Sequence, residues 1–364
     1  MGKNFTICSN PESVYDIELV NLIIENNNPI YPINNIEIDN FLKKEIPGLY
    51  NFEGNCYLNS ILQCFYYCKD LTNYFIDNKN EIIIKGGKLS NAYLNLILRL
   101  KKKENNNSAK KFLKVLQEVS DNFFNKGGND PKAVLFYFLE NIHYELKEEN
   151  SDYNEEDNCC DGIDQEIVFQ KCKKNEENSK SIISELFNWC LLTKNECKKC
   201  GNYHYMCEYE NNLLIILNKY KTEDNCELDD LIKFYFQDDE KNFICDYSDS
   251  KEIFRVKFSK KIICLPQYLI IILNRDTTKF NINYNKYIDL SEYCVNEINA
   301  KYIFVGASYT NDYKNIKGTH AISLCITSEG PYIFNDLITE KYNNSIIYGY
   351  NPYILFYKKI NNFI

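Results

Sequence analysis

Cys56 is the side chain whose setting in this sequence is most typical of a nucleophile. It follows a turn-forming run, residues 51–55, and opens a segment whose apolar residues recur at helical spacing, namely Leu58, Ile61, Leu62 and Phe65. The pattern therefore predicts that Cys56 lies at a helix N-terminus, with Asn51 or Asn55 as the cap. Unpaired backbone N–H groups and the helix dipole at that position favour a thiolate, the reactive form of cysteine.

A nucleophilic cysteine needs a general base, and the sequence offers only three histidines for that role. His143 lies within a predicted helix, and His204 follows Cys200 in a segment that contains several cysteines. His320 instead opens a predicted strand, where a plain surface-hairpin histidine is the alternative interpretation. The neighbouring strand decides between these two interpretations of His320.

The strand that starts at His320 is followed by a second short strand, residues 332–334, which ends in Asn335-Asp336. An antiparallel hairpin with residues 321–326 returns that pair of polar residues to the side of His320. A carbonyl or carboxylate oxygen there accepts the imidazole N–H and fixes the tautomer of the base. Cysteine on a helix, then histidine and asparagine on strands, is the order of papain-type proteases, so these residues predict nucleophilic cysteine chemistry.

The composition limits the classes of function. The chain has 364 residues, 45% of them hydrophobic, which indicates a globular protein with a sizeable core. A formal net charge of −9 without a long Lys/Arg cluster argues against nucleic acid and for a basic protein partner. No apolar run is long enough to span a membrane, and the N-terminus lacks a secretory signal. Sixteen cysteines without such a signal indicate reduced thiols, metal ligands or catalysis, and we expect a cytoplasmic or nuclear protein.

The order of the predicted elements, helices first and strands later, indicates an α+β protein. Residues 1–45 form a leader of undetermined role, residues 79–88 predict a loop or short extended piece, and the acidic residues 148–164 predict a solvated loop. After the Cys56 helix, further helices are predicted at residues 89–100, 109–124 and 129–146. Strands are predicted at residues 213–217, 254–258, 268–273, 302–307, 321–326, 332–334 and 353–357.

Five motifs in this order resemble those of the ubiquitin-specific protease family of deubiquitinases, over residues 46–364. The first motif surrounds the nucleophile and reads Gly48-Leu49-x-Asn51, then Cys56-Tyr57-Leu58-Asn59-Ser60-x-Leu62-Gln63. The other four are Asn129-Asp130 with its helix, the strand of residues 265–275, Gly318-Thr319-His320 with Tyr332-Ile333-Phe334-Asn335-Asp336, and the closing strand of residues 353–357. The resemblance implies a papain-like cysteine protease with a helical thumb lobe, a strand-rich palm and a finger-like β insertion at about residues 193–260.

The resemblance also implies hydrolysis of the isopeptide or peptide bond after the C-terminal glycine of ubiquitin, with ubiquitin and ubiquitinated proteins as partners. It implies three catalytic residues: the nucleophile Cys56, the base His320 and the orienting residue Asn335. Asn51 matches the side chain that donates to the oxyanion, and Asp336 matches a position that supports the active site. Asp130 matches an acidic residue that binds an arginine in the ubiquitin tail. No cofactor is implied for catalysis.

The sequence Cys197-x-x-Cys200 is half of a zinc-binding pattern, and the resemblance implies a second cysteine pair in the fingers. Here the second half reads Cys245-Asp246-Tyr247-Ser248, and serine is not a usual zinc ligand. The site is then complete only with a substitute ligand: Asp246, Cys207 or Cys226. The alternative, a metal-free fingers module held by its sheet, is favoured over structural zinc.

Departures from the family pattern keep two other functions open. Glu53 precedes Gly54-Asn55 where the family has Gly-Asn-Thr, Thr319 stands where it has glycine, and Ala133 replaces a second carboxylate near Asp130. These changes favour either a ubiquitin-binding pseudo-enzyme or scaffold, or a protease of another ubiquitin-like modifier. The intact set of cysteine, histidine and asparagine argues for the active deubiquitinating protease.

Overall fold

The computed structural model describes residues 46–52, 54–103, 108–120, 123–125, 129–148, 160–220, 225–244, 253–275, 281–296, 299–311, 320–343 and 350–360. The leader, residues 1–45, lies outside this range, so the predicted domain boundary and the role of the leader stay predictions. Within the described residues no helix is long and apolar enough to cross a membrane.

The first part of the described chain is helical. It contains α1 (Cys56–Tyr67), α2 (Lys69–Asp77), α3 (Lys79–Lys85), α4 (Lys88–Lys101), α5 (Ser108–Val119), a 3-10 turn (Phe123–Asn125) and α6 (Pro131–Leu146). Every residue of α1 from Cys56 to Phe65 is buried, so this helix forms the centre of the helical lobe. The predicted helices α4, α5 and α6 are confirmed, and Pro131 starts α6 with Asp130 as its cap, as predicted.

The prediction of a loop or extended piece at residues 79–88 is wrong, because residues 79–85 form α3. The prediction rested on a segment that contains Gly86-Gly87, and its consecutive isoleucines also favour strands because they are β-branched. Only one of them is buried, however: Ile82 is 1% exposed, whereas Ile83 and Ile84 are 60% and 81% exposed. That pattern fits a short helix with a single inward position, and the helix stops where the Gly86 N–H bonds to the Ile82 carbonyl at 2.8 Å.

A carboxylate from α6 caps the N-terminus of α4. Gly87, the residue before α4, has no side chain to accept from the first N–H groups of the helix. Glu145 accepts from the Leu89 N–H at 2.9 Å and from the Ser90 N–H at 2.6 Å. Because a negative charge is favourable at a helix N-terminus, this contact fixes α4 against α6.

The second part of the described chain is mostly strands. In chain order its elements are β1 (Asp161–Gly162), α7 (Gln165–Asn178), α8 (Ile182–Phe187), β2 (Trp189–Cys197), β3 (Tyr203–Glu210), β4 (Leu213–Ile216), β5 (Asn225–Glu227), α9 (Leu228–Phe236), β6 (Asp239–Ile244), β7 (Ile253–Cys264), β8 (Tyr268–Asn274), β9 (Asn281–Asn283), β10 (Tyr287–Asp289), β11 (Lys301–Thr310), β12 (Ala321–Thr327), β13 (Gly330–Asn335), β14 (Ile338–Lys341) and β15 (Asn351–Lys359). Each of the seven predicted strands overlaps one of these strands. The α+β class is confirmed.

An eight-stranded sheet forms the palm and carries the strands predicted to bear the base. Its order is β14-β13-β12-β11-β15-β8-β4, and β10 pairs with β11. Successive side chains of β8 alternate between two cores: residues 268, 270 and 272 pack with the helices, and residues 269, 271 and 273 pack on the other side. Both faces of β8 are therefore buried, and β12, which is buried at six of its seven residues, packs beside α1.

A five-stranded sheet of order β1-β3-β2-β7-β6 forms the finger-like insertion. Along β2, Trp189 and Leu191 face the palm core, whereas Cys190 and Leu192 face a small third core shared with α7. The sequence predicted a solvated loop at residues 148–164; of these, residues 149–159 lie outside the described residues, and residues 161–162 form β1. Asp164 in fact caps α7, since its side chain accepts from the N–H groups of Glu166 and Ile167.

Candidate active site

Cys56 lies at the first position of α1, as predicted, and the segment before it is held by asparagine side chains. Asn55 is the residue before the helix, but its own side chain does not cap α1. Asn51 instead accepts two hydrogen bonds from this segment: its Oδ1 accepts from the Gly54 N–H at 3.1 Å and from the Asn55 N–H at 2.9 Å. Of the two predicted caps, Asn51 therefore shapes the turn that delivers Cys56.

Asn55, the other predicted cap, and Asn59, to which the sequence assigned no role, complete this turn. The buried Asn55 donates to Asn59 Oδ1 at 3.1 Å, and its Oδ1 accepts from the Phe52 N–H. Asn59 donates to the Tyr50 carbonyl at 3.1 Å. The signal was available in the sequence, because Asn51, Asn55 and Asn59 recur at a spacing of four residues, which places the last two on one side of α1.

The predicted hairpin brings the predicted base, His320, and its predicted orienting residue, Asn335, together. β12 and β13 pair antiparallel, and His320 Nε2 lies 2.6 Å from Asn335 Oδ1. Since an amide oxygen only accepts, Nε2 carries the proton and Nδ1 is left as the proton acceptor. Asn311, at the end of β11, fixes the histidine backbone: its Oδ1 accepts from the His320 N–H at 2.9 Å.

Asp336 connects the hairpin to the segment that precedes Cys56. It occupies the two-residue turn between β13 and β14 with φ +53°, a conformation that aspartate tolerates better than most residues. Its Oδ2 accepts from Asn51 Nδ2 at 2.8 Å, and its Oδ1 accepts from Asn59 Nδ2 at 2.7 Å. Its carbonyl accepts from the Leu49 N–H at 2.9 Å. One residue thus fixes both the amide predicted to bind the oxyanion and the start of α1.

The close fit of this turn explains the glycine at position 48. A Cβ atom on Gly48 would lie 2.3 Å from the Asp336 carbonyl oxygen and 2.7 Å from the Leu337 backbone. Both contacts are with backbone atoms, which have little room to move. Gly48 is therefore required by the approach of its backbone to the hairpin.

The resting Cys56 does not have the thiolate character that its position at a helix N-terminus suggested. Burial and then the negative charge of Asp336 raise the pKa of the Cys56 thiol from 9.0 to about 12. Hydrogen bonds from the backbone N–H groups of Ala321, Tyr57 and Cys56 itself oppose this rise but do not cancel it. The expectation was wrong because the residue is only 4% exposed, and loss of hydration outweighs the helix terminus.

The Ala321 contact matters for the geometry of the site. Ala321 directly follows His320, so its N–H beside the Cys56 sulfur places the predicted nucleophile against the start of β12. The neighbouring His320 imidazole also affects the pKa of the Asp336 carboxyl. Burial raises this pKa, whereas His320, Asn59 and Asn51 lower it. The structure therefore brings together five predicted site residues: Cys56, His320, Asn335, Asn51 and Asp336.

Asp130 already has partners at the start of α6. Its Oδ1 accepts from the Lys132 N–H at 2.8 Å, which caps α6, and its Oδ2 accepts from the Tyr353 hydroxyl at 2.9 Å. The Lys132 ammonium is 4.0 Å from Oδ2. Burial raises the pKa of the Asp130 carboxyl. An arginine ligand would share this carboxylate with Tyr353 and Lys132, and the substrate-binding role stays a prediction.

The predicted zinc ligands are only partly described. Cys197 ends β2 and is buried, whereas Cys200 is exposed on the turn to β3, where Gly201 has φ +73°. Two thiols on one tight turn suit half of a tetrahedral site, but Cys245 lies outside the described residues. The role of Cys197, Cys200 and Cys245 in metal binding therefore stays a prediction. Glu53 and Thr319, two of the departures from the family pattern, also lie outside the described residues.

The sequence of this chain matches a known protein family and several of its members. The family model described as ubiquitin carboxyl-terminal hydrolase matches residues 47–357. Probable ubiquitin carboxyl-terminal hydrolase 4 of Schizosaccharomyces pombe is 27% identical over 171 residues, which cover 42% of this chain and 29% of that protein. Ubiquitin carboxyl-terminal hydrolase Usp2 of Drosophila melanogaster is 20% identical over 337 residues, which cover 86% of this chain and 34% of that protein. Only about a third or less of these two relatives is therefore matched.

Solved structures share the fold. A chain of the SAGA Ubp8/Sgf11/Sus1/Sgf73 DUB module bound to ubiquitin aldehyde superposes with a TM-score of 0.67 at 15% identity, over 97% of this chain and 77% of that chain. A chain of the yeast SAGA DUBm gives a TM-score of 0.65 at 15% identity, over 97% and 76% of the two chains. Since the family model spans most of the sequence, the chain belongs to the ubiquitin carboxyl-terminal hydrolase family and has the α+β fold of the ubiquitin-specific proteases.

Proposed function

We propose that this chain is a deubiquitinating cysteine protease that hydrolyses the isopeptide or peptide bond after the C-terminal glycine of ubiquitin. Two observations carry the proposal: the 2.6 Å contact between His320 Nε2 and Asn335 Oδ1, and the hydrogen bond of the Ala321 N–H, directly after His320, to the Cys56 sulfur. A base oriented by a third residue beside a cysteine is the arrangement that nucleophilic catalysis requires.

The first chemical step is acyl transfer to the enzyme. The Cys56 sulfur attacks the carbonyl carbon of the terminal glycine while His320 Nδ1 takes the thiol proton. A pKa of about 12 makes this proton transfer necessary, because the free thiol is almost entirely protonated at neutral pH. The imidazolium that forms is held by Asn335 and lies near the carboxylate of Asp336, which favours its positive charge.

The negative charge on the carbonyl oxygen is stabilised by donors at the start of α1. The backbone N–H of Cys56 supplies one donor, and the Asn51 amide supplies another. Asn51 Nδ2 carries two N–H groups, and one of them donates to Asp336 at 2.8 Å. The second N–H is then oriented for the oxyanion, and a donor of this kind typically contributes ~3 kcal/mol to lowering the barrier.

The leaving group and water complete the cycle. His320 returns its proton to the departing lysine amine, and the carbon–nitrogen bond breaks to leave a thioester on Cys56. A water molecule then attacks the thioester with His320 as the base, and the proton goes back to the sulfur. No metal or cofactor takes part in these steps. Because the two glycines that end ubiquitin have no side chains, a narrow channel between the lobes would select them sterically.

The test is hydrolysis of a fluorogenic amide at the C-terminus of ubiquitin by the full chain. Activity is expected in the wild type and in Glu140→Ala, a control that changes an exposed side chain of α6, and only background activity in Cys56→Ala. Equal activity in Cys56→Ala and wild type would contradict the proposal. Substrates made with other ubiquitin-like modifiers, run in parallel, test the alternative that one of them is the preferred substrate.

A second candidate is a ubiquitin-binding pseudo-enzyme, and the observation in its favour is the protonated, buried state of Cys56. This candidate predicts that unmodified ubiquitin binds the wild type and Cys56→Ala equally, with no turnover of any substrate. The protease predicts turnover that depends on both Cys56 and His320. Measuring binding by calorimetry alongside hydrolysis separates the two functions.

A further inference from the structure

Five cysteines from distant parts of the sequence meet in the small core at the base of the finger sheet. Cys160 precedes β1, and the other four lie on α7, β2, β3 and β7: Cys172, Cys190, Cys207 and Cys264. They are five of the eleven residues of that core. All five side chains therefore contribute sulfur to one confined region, away from Cys56 and away from the turn that carries Cys200.

The sheet register explains the convergence. Cys190 on β2 pairs directly with Cys264 on β7, and Cys207 pairs with Leu192, two residues further along β2. Residues two apart on a strand share a face, so Cys190, Cys207 and Cys264 all face α7. Cys172 lies on α7, which packs against this face of the sheet, and its thiol donates to the Cys207 carbonyl at 3.3 Å.

Three of these thiols are close enough to share one ion. The sulfur atoms of Cys172, Cys190 and Cys207 lie within 4.8 Å of one another, and those of Cys190 and Cys207 are 3.0 Å apart. A tetrahedral zinc ion with Zn–S bonds of about 2.3 Å needs its ligand sulfurs about 3.8 Å apart. Shifts below about 1 Å, within the reach of side-chain rotation, would give that spacing. Among the described residues, this is the only group of three or more potential metal ligands.

Cys160 is positioned as the fourth ligand. Its side chain is in hydrogen-bonding contact with the Cys172 thiol, and its carbonyl accepts from the Cys207 N–H at 2.9 Å. Asn175, one turn after Cys172 on α7, donates its amide to the Cys160 sulfur at 3.4 Å. Donation from an amide to a ligand sulfur is typical of the surroundings of metal–thiolate sites. Cys160 is only partly buried, which leaves a route from solvent to the group.

We propose that Cys160, Cys172, Cys190 and Cys207 bind one zinc ion at the base of the fingers. Four thiolates in a tetrahedral arrangement are the ligand set that selects zinc over magnesium or calcium, which take oxygen ligands. This site is separate from the predicted one at Cys197, Cys200 and Cys245, and it does not depend on the proposed protease function.

The ion would stabilise a part of the fold that has only a small hydrophobic core. It would connect the segment before β1, helix α7 and strands β2 and β3, which surround a core with few large aliphatic residues. Zinc binding contributes its free energy directly to folding when the ligands come from separate segments. Loss of zinc is therefore expected to loosen α7 from the finger sheet while leaving α1 and the palm intact.

The test is the zinc content of the purified full chain, measured by mass spectrometry of the metal. The wild type is expected to hold zinc, and Cys207→Ser and Cys160→Ser are each expected to lose one ion per chain. Cys200→Ser is the matched control, because it changes an exposed thiol of the predicted turn site and leaves the four cysteines at the bottom of the finger sheet unchanged. Full retention of zinc in both Cys207→Ser and Cys160→Ser, or loss of zinc only in Cys200→Ser, would overturn the proposal.

A second measurement covers the case in which the buried Cys207→Ser variant does not fold. Replacement of zinc by cobalt in the wild type is expected to give the visible bands of tetrahedral cobalt and a thiolate charge-transfer band. Cysteine alkylation before and after chelation then identifies the ligands, and Cys160, Cys172, Cys190 and Cys207 are expected to be protected only with metal. A wild type without zinc, with these four thiols reactive or with a Cys190–Cys207 disulfide, would contradict a metal site.

Discussion

Asp336→Asn is expected to increase the reactivity of the Cys56 thiol and to decrease the rate of hydrolysis of the ubiquitin amide. The substitution removes a negative charge that raises the pKa of Cys56, so the thiol should ionise more easily. It also replaces one of the two carboxylate oxygens that accept from Asn51 and Asn59 with an amide NH2 group, which can only donate. The thiol becomes more reactive toward a small reagent, whereas the oxyanion donor loses its support.

The expected sizes follow from the contacts. The difference between 9.0 and about 12 corresponds to about a 1,000-fold lower thiolate fraction and ~4 kcal/mol against ionisation. Burial is the larger cause and remains, so we expect about a tenfold gain in thiolate from removing the charge. A hydrogen bond to a charged group contributes ~1.5–3 kcal/mol, and loss of an oriented oxyanion donor lowers kcat by about 10²–10³.

Two assays on the same preparations measure these effects. The rate of Cys56 alkylation by iodoacetamide, followed by peptide mass spectrometry, should rise about tenfold per pH unit from pH 6 to 9 in the wild type, because the thiol stays protonated up to a pKa of about 12. At each pH the Asp336→Asn chain should react faster, while its hydrolysis of ubiquitin amide falls.

The control is Asp238→Asn, which removes a charge paired with Lys257 on the finger sheet and should change neither rate. Slower or unchanged alkylation in Asp336→Asn, or a flat pH profile in the wild type, would refute the account of Cys56. Unchanged hydrolysis in Asp336→Asn would refute the role of Asp336 in supporting Asn51.

Three further substitutions test the framework around the site. Glu145→Ala removes the cap of α4 and should lower the free energy of unfolding by about 2 kcal/mol in urea titrations, while the exposed Glu140→Ala on the same helix should change it little. Gly48→Ala forces a Cβ against the Asp336 carbonyl and should cost about 1–3 kcal/mol together with most hydrolytic activity; full activity would mean the turn can move. Asn59→Leu leaves Asp336 Oδ1 without its donor and should cost about 2 kcal/mol, seen as a lower melting temperature and a reduced kcat.

The elements that carry the proposed catalytic residues were predictable because their signals are local. The periodic residues Leu58, Ile61, Leu62 and Phe65 are all fully buried, so helical spacing alone located α1 and the cysteine at its start. The hairpin of β12 and β13 was predictable from two short apolar runs around a tight turn, and its geometry placed Asn335 at His320. Asp130 and Pro131 gave the start of α6 for the same reason.

Other features were missed because they depend on contacts between distant residues. Helix α7 has a polar sequence with only Val168 and Cys172 buried, so its apolar pattern is too weak to predict a helix. The convergence of Cys172, Cys190 and Cys207 requires the register of the finger sheet, which the sequence does not specify. The high pKa of Cys56 likewise arises from tertiary burial and from Asp336, 280 residues away in the chain.

The most direct test of the central claim is labelling of the full chain by ubiquitin that carries an electrophile at its C-terminus. The account predicts a covalent adduct in the wild type, with the modified peptide mapped to Cys56, and no adduct in Cys56→Ala. It also predicts much slower labelling of His320→Ala, since the protonated thiol needs its base. An adduct at another cysteine, or no adduct with ubiquitin in the wild type, would contradict the assignment of this chain as a deubiquitinating protease.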